Sequence, residues 1–147
     1  GNTCRSPMAE YLLRGRLGGN SGWMVESCGV YAFDGAPASE NAVEVLKELK
    51  IDLQPHRSRQ VNAEMVADAD LVVAMAESHR QELLGRFPGT EKKIFRLHEF
   101  GTERPVRDVM DPVGGSKAVY RKIRDELDSA MADLIIFMAR NFERTER

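Results

Sequence analysis

Apolar residues along this chain follow two alternating rhythms. Ser6-Pro7 reads as an N-cap with proline at the first helical position, Tyr11, Leu12 and Leu13 supply an apolar stripe, and Gly18-Gly19-Asn20 ends the helix. Trp23-Met24-Val25, then Cys28 and Val30, predict a short strand closed by Gly29 and the turn at Phe33-Asp34-Gly35. Ala42, Val45, Leu46 and Leu49 recur at helical spacing, which predicts a helix over 38–50. Residues 52–61 are irregular, and Asn62 is placed to cap a short helix ending near Ala67. The run LVVAMA at 71–76 is unbroken and bounded by polar residues, the pattern of a strand covered on both faces in a parallel sheet. A helix over 77–87 ends at Pro88-Gly89. Ile94, Phe95, Leu97 and Phe100 predict another strand, and 101–115 a long loop. From Ser116 onward, Val119, Ile123, Leu127, Met131, Leu134, Ile135, Met138 and Phe142 recur every three or four positions, which predicts one long amphipathic helix.

Strand and helix alternate throughout, with no repeat, low-complexity stretch or linker. That pattern predicts a single α/β domain over 1–147, with a parallel sheet and right-handed crossovers. At 147 residues the chain suits one domain, which buries roughly two thirds of the surface exposed when unfolded. A helix starting at Ser6 with no strand before it would leave a gap in the sheet, so several apolar residues are expected ahead of Gly1.

Charge narrows the function classes. Twenty-one Lys+Arg against 23 Asp+Glu give a net charge of −2, so no strong field favours nucleic acid or an anionic membrane. The longest apolar run, near 134–139, is far short of the roughly 20 residues a membrane span needs. Two cysteines, Cys4 and Cys28, are too few for a disulfide framework, so a reducing cytoplasm is expected.

In parallel α/β sheets ligands bind where a strand hands over to a helix N-terminus. The chain opens at such a handover with Gly1-Asn2-Thr3-Cys4-Arg5-Ser6-Pro7. Successive backbone N–H groups in a loop of this kind make an anion nest. The helix dipole adds to it, and Arg5 supplies a bidentate fork. A phosphate-sized dianion is the natural occupant; an ordinary turn with a surface arginine is the plainer alternative. Asp111-Pro112 by itself is equally a turn former. His56, His79 and His98 lack the spacing of metal ligands, so neither metal nor cofactor is expected.

GNTCRSP resembles the second half of the phosphate loop of the low-molecular-weight protein phosphatases, Cys-x-Gly-Asn-x-Cys-Arg-Ser-Pro. Further matches follow in order: Ser27-Cys28-Gly29-Val30, Gly35-Ala36-Pro37, His56-Arg57-Ser58-Arg59-Gln60, Ala69-Asp70-Leu71-Val72 and Asp111-Pro112. The resemblance implies a three-layer domain with a four-stranded parallel sheet flanked by helices, its first and central strand lying outside this numbering. It also puts the nucleophilic cysteine two positions ahead of Gly1; a chain that truly starts at Gly1 would be a catalytically dead phosphoprotein-binding module.

The resemblance further implies that Gly1, Asn2, Thr3, Cys4, Arg5 and Ser6 bind the phosphoryl group. Arg5 stabilises its charge, and Asp111 protonates the leaving group and then activates water. Asn2, Ser6, Ser27 and His56 support the loop. Cys4 forms a reversible disulfide with the nucleophile under oxidation; otherwise it is a small buried hydrophobe, as is Cys28. Tyr31 and Phe33 either line the mouth of the site or form a half-exposed aromatic cluster. Arg57 and Arg59 read as surface charges or loop anchors.

The stretch Asp111-Pro112-Val113-Gly114-Gly115-Ser116, with Thr3 in the loop, is similar to the bacterial protein arginine phosphatases. A threonine hydroxyl accepts a hydrogen bond from a guanidinium where an isoleucine has none to offer. Tyrosine phosphatases carry aromatic residues after Asp-Pro to stack on the phenol, and Val113 and Gly114 supply no such wall. Phosphorylated proteins are thus the expected partners of a monomeric enzyme, phosphoarginine ahead of phosphotyrosine. A thiol-dependent arsenate reductase needs further cysteines after Cys28, and a nucleotide P-loop needs Gly-Lys-Ser/Thr; both are absent from the sequence.

Overall fold

The structure, a computed structural model, describes residues 1–142. Helices α1 (Arg5–Leu17), α2 (Glu40–Lys47) and α3 (Ala63–Asp68) precede strand β1 (Val72–Ala74), which is followed by α4 (Glu77–Arg86), strand β2 (Ile94–Arg96) and α5 (Lys117–Asn141). The strands pair in parallel, Val72 opposite Ile94 and Ala74 opposite Arg96. A single 3-10 turn follows β2 at Leu97–Phe100, so the second strand is shorter than its apolar pattern suggests.

Helices cover both faces of the sheet. Met8 and Leu12 of α1, Val45 and Leu46 of α2, and Ile123, Leu127 and Met131 of α5 form the larger core, against which Leu71 and Val73 pack. Val66 of α3 and Leu83 of α4 form a smaller core with Val61 and Ile94, against which Val72 packs. The domain is therefore three-layered α/β, and the unbroken apolar run around β1 has its cause: alternate side chains enter different cores. Each fully buried leucine contributes about 1.5–3 kcal/mol to this packing. Glu48 ties α2 to α5 through Arg121 at 2.7 Å and Arg124 at 2.7 Å, and those two guanidinium groups hold its carboxyl down to about 2.

Three expectations need correcting. The segment 23–30 is extended but forms only one parallel bridge, Gly29 to Gln60, so the ladder among the described residues has two strands rather than the three read from their pattern. A ladder needs a neighbouring strand, and among the described residues only Gln60 bridges to this segment; its carbonyls at Val25 and Ser27 accept from the side chains of Arg14 and Arg59. Ser6 is not the cap of α1. The helix begins one residue earlier, at Arg5, and the Ser6 hydroxyl accepts a hydrogen bond from Asn2 instead. The second helix is narrower than 38–50, because Ser39 stands at its N-cap and a closing turn ends it.

That closing turn carries the first prediction. Ile51 N–H donates to Leu46 O at 3.1 Å and Lys50 N–H to Lys47 O at 2.9 Å, the double bond of a Schellman cap. Lys50 sits there at φ 63°, the left-handed region that favours glycine. Lys50→Gly is expected to raise stability by about 0.5–1 kcal/mol in urea unfolding, since it removes the Cβ clash at the cost of a looser unfolded chain. A loss of stability would show that the Lys50 side chain contributes more than its backbone costs.

Candidate active site

The loop before α1 is organised by Asn2. This residue is 4% exposed and adopts φ 63°, a conformation asparagine tolerates better than most side chains. Its Nδ2 donates to Ser6 Oγ at 2.9 Å and to Ser27 Oγ at 3.0 Å, and its Oδ1 accepts the Arg59 N–H at 2.9 Å. His56 Nε2 lies 2.7 Å from the Asn2 carbonyl oxygen. Ser27 in turn donates to Glu10 Oε1 at 2.6 Å, and the buried Glu10 pairs with Arg14. Asn2, Ser6, Ser27 and His56 are thus brought together, though Ser27 stands 25 residues from Asn2 and His56 stands 54. Glycine at position 29 makes room for this loop: a Cβ there would stand 3.1 Å from Ala32 Cβ and 3.2 Å from Asn2 Cβ.

Thr3 and Cys4 complete the turn. The Ser39 N–H donates to Thr3 O at 2.9 Å, tying the loop to the start of α2. The Thr3 hydroxyl has a long contact, 3.8 Å, to Cys4 Sγ. Cys4 is buried, with Ser39 Oγ at 3.4 Å and the Tyr120 hydroxyl at 3.3 Å. Burial and the neighbouring thiol push the Tyr120 phenol up, so it stays protonated at neutral pH.

Arg5 reaches out of the first turn of α1 toward the loop 101–115. Its Nη1 donates to Val109 O at 2.7 Å, and its Nη2 lies 3.7 Å from Asp111 Oδ2. Val109 is itself fixed, its N–H donating to Met75 O at 2.8 Å at the end of β1. The Asp111 side chain is half exposed, and its Oδ1 accepts the Val113 N–H at 3.1 Å. The glycine pair that follows is needed for the turn into α5: Gly114 has φ 81°, and a Cβ on Gly115 would stand 2.9 Å from Pro112 O. Arg5 and Asp111 therefore meet beside the N-terminus of α1, where the positive end of a helix and a guanidinium together suit an anion.

The remaining candidates lie around that point. Tyr31 and Phe33 are exposed, at 70% and 89%, and Arg86 of α4 stacks over the Tyr31 ring at 4.8 Å. Val113 and Met110 are also exposed, at 67% and 57%. Arg57 and Arg59 anchor loops: Arg57 donates to Gln54 O and His56 O, Arg59 to Ser27 O and Glu26. Cys28 packs on the smaller core, and burial pushes its thiol up. Among the described residues no group of His, Cys, Asp and Glu has the arrangement of a metal site.

Several neighbours escaped sequence reasoning. Ser39, Tyr120 and Glu10 carry no motif. His79, in the first turn of α4, is held below its ordinary value by burial and by the positive charge of Arg5, against the pull of Asp108 and Asp111. Asp108 accepts the Glu77 N–H at 2.9 Å and caps α4; a carboxylate shortly before Asp-Pro was the available signal.

An α/β domain with a loop, an arginine and a facing carboxylate at a helix N-terminus has the architecture of a phosphoryl-transfer protein. The sequence profile of the low molecular weight phosphotyrosine protein phosphatases matches residues 1–144, and the chain belongs to that family. It is 44% identical over 131 residues to a protein-arginine-phosphatase of Geobacillus stearothermophilus, covering 88% of this chain and 84% of the relative. It is also 44% identical to a low molecular weight protein tyrosine phosphatase of T. tengcongensis, with a TM-score of 0.84 and 93% of each chain covered. A mutant of the YwlE arginine phosphatase, with a phosphorylated active-site serine in place of cysteine, superposes with a TM-score of 0.87 at 40% identity. That match covers 96% of this chain and 92% of the other.

Proposed function

We propose that this protein hydrolyses phosphoarginine on proteins through a phosphocysteine intermediate, with phosphotyrosine hydrolysis as the second reading. The observation that carries the choice is Thr3, in the loop between the Asn2 hub and Cys4, where a hydroxyl can accept a guanidinium N–H. Overall identity does not decide between the two, being 44% to both an arginine and a tyrosine phosphatase. The phosphorylated serine of the YwlE mutant supports a covalent phosphoenzyme.

In this reading a thiolate two positions ahead of Gly1 attacks phosphorus in line. The P–N bond of phosphoarginine breaks as the P–S bond forms, and the guanidine leaves with a proton from Asp111. Arg5 and the amides of residues 1–6 hold the three equatorial oxygens as charge shifts onto them. Asp111, now a carboxylate, takes a proton from the water that cleaves the P–S bond and releases phosphate. Asn2, Ser6, Ser27 and His56 keep the loop amides aimed inward. Cys4, buried between Ser39 and Tyr120, is the thiol that would pair with the nucleophile under oxidation. The enzyme acts as a monomer in the cytoplasm; no helix among the described residues is long and apolar enough to cross a membrane.

The test is phosphate release by the full-length protein from phosphoarginine and phosphotyrosine peptides, with intact mass recorded on the same sample. Faster turnover of phosphoarginine supports the reading, faster turnover of phosphotyrosine replaces it with the second, and binding without turnover leaves a phosphoprotein-binding module. Thr3→Ile is expected to shift the ratio of the two kcat/KM values about tenfold toward phosphotyrosine, the worth of one hydrogen bond to a charged group. An unchanged ratio removes Thr3 from substrate choice.

A further inference from the structure

The loop 101–115, a strap that carries Asp111, is fastened by one half-buried cation. Arg96 ends β2, with its side chain 22% exposed. Its Nη1 donates to Val106 O at 3.3 Å and lies 3.5 Å from Asp108 Oδ1. Its Nε lies 3.2 Å from Glu77 Oε1 and 3.6 Å from Glu99 Oε1. The main-chain amide of Arg96 also donates to Glu99 Oε1, at 3.1 Å. One guanidinium thus stands within ion-pair distance of carboxylates from the strap, from the first turn of α4 and from the turn after β2, although its Nε makes no hydrogen bond to them. Asp108 receives the Glu77 N–H, and the next residue, Val109, accepts from Arg5. From Arg96 the chain of contacts reaches the Arg5–Asp111 pair through Asp108 and Val109.

We infer that Arg96 is a positioning residue, fixing where the strap crosses the ends of β1 and β2 and hence how close Asp111 stands to Arg5. Without its charge, Glu77, Glu99 and Asp108 face one another, and among the described residues Arg80, 3.3 Å from Glu77, is the other cation paired with them. Like charges at such distances repel, and the strap is the element with the freedom to yield. A second tether, Arg107 to Glu126 at 2.8 Å, holds the strap from the side of α5 and keeps it from detaching altogether. The expected consequence is a misplaced proton donor on a folded protein. The inference rests on Asp111 being the proton donor.

The experiment compares kcat of the full-length protein on para-nitrophenyl phosphate, whose leaving group departs without a proton, and on phenyl phosphate, whose leaving group needs one. Asp111→Asn is the reference. If it slows both substrates equally, the proton-donor reading fails and the inference falls with it. If it slows phenyl phosphate selectively, Arg96→Met is expected to do the same by about tenfold, and to add little in the double variant. Arg96→Lys should restore part of the loss. Equal loss on both substrates, no loss, or full additivity with Asp111→Asn would overturn the inference alone. Should Arg96→Met fail to fold by circular dichroism, Asp108→Asn carries the same comparison, since its amide oxygen still caps α4 while the charge facing Arg96 is gone.

Discussion

Arg5→Lys is expected to lower kcat/KM by about a thousandfold while leaving the fold intact. Arg5 does two things at once, donating from Nη1 to Val109 O at 2.7 Å and facing Asp111 with Nη2 at 3.7 Å. Its planar fork is rigid, so anchoring one nitrogen aims the others at the loop opening. Lysine offers a single flexible ammonium: it either satisfies the Val109 carbonyl or meets the phosphoryl oxygens. The remaining transition-state charge is then held by loop amides alone. Loss of one preorganised donor of this kind costs about 10²–10³ in kcat, and loss of bidentate geometry weakens substrate binding as well. Steady-state kinetics with phosphoarginine peptide, together with calorimetric titration of inorganic phosphate, separates the two contributions. A change of less than about threefold in kcat/KM would remove Arg5 from transition-state stabilisation.

Asn2→Ala is expected to cost about 3–4 kcal/mol of stability and about a hundredfold in kcat. The substitution deletes three hydrogen bonds, leaving the Ser6 and Ser27 hydroxyls and the Arg59 N–H without their partner in a buried setting. It also puts alanine at φ 63°, where asparagine is better tolerated. Asn2→Gly separates these causes: glycine takes the left-handed conformation freely but restores none of the bonds, so it should recover about 1 kcal/mol and little activity. Urea unfolding and kcat on each variant decide it. If glycine rescues the activity, backbone strain rather than the side-chain bonds keeps the loop in shape.

Much of this protein is legible in its sequence. The period of Val119, Ile123, Leu127 and Met131 dictates α5, because a helix of that length must bury one stripe. Asn62 caps its helix with a side-chain oxygen, as its position in the sequence predicts. The run at 71–76 revealed a strand, since only a strand with cores on both sides needs apolar residues at every position. The loop GNTCRSP stands out because an anion nest is built from contiguous residues, whereas Asp111, outside that stretch, stands out only through the family resemblance.

What local pattern could not decide were the relations between distant segments. Residues 23–30 have the apolar content of a strand, yet strand formation is a pairing property, and among the described residues only Gln60 bridges to this segment. Ser6 has the local chemistry of a cap but is claimed by Asn2, because a buried amide with two donors takes whichever oxygens the tertiary fold brings to it. The strap and its fastening by Arg96, Asp108 and Val109 leave no periodicity in the sequence. Their positions follow from salt bridges and single backbone hydrogen bonds between segments. The sequence by itself determined the long helix α5, the strand around 72–74 and the order of the elements, where each residue's neighbours along the chain settle the matter. Only the tertiary structure decided how Asp111 comes to face Arg5, because that distance depends on contacts between residues up to 106 positions apart.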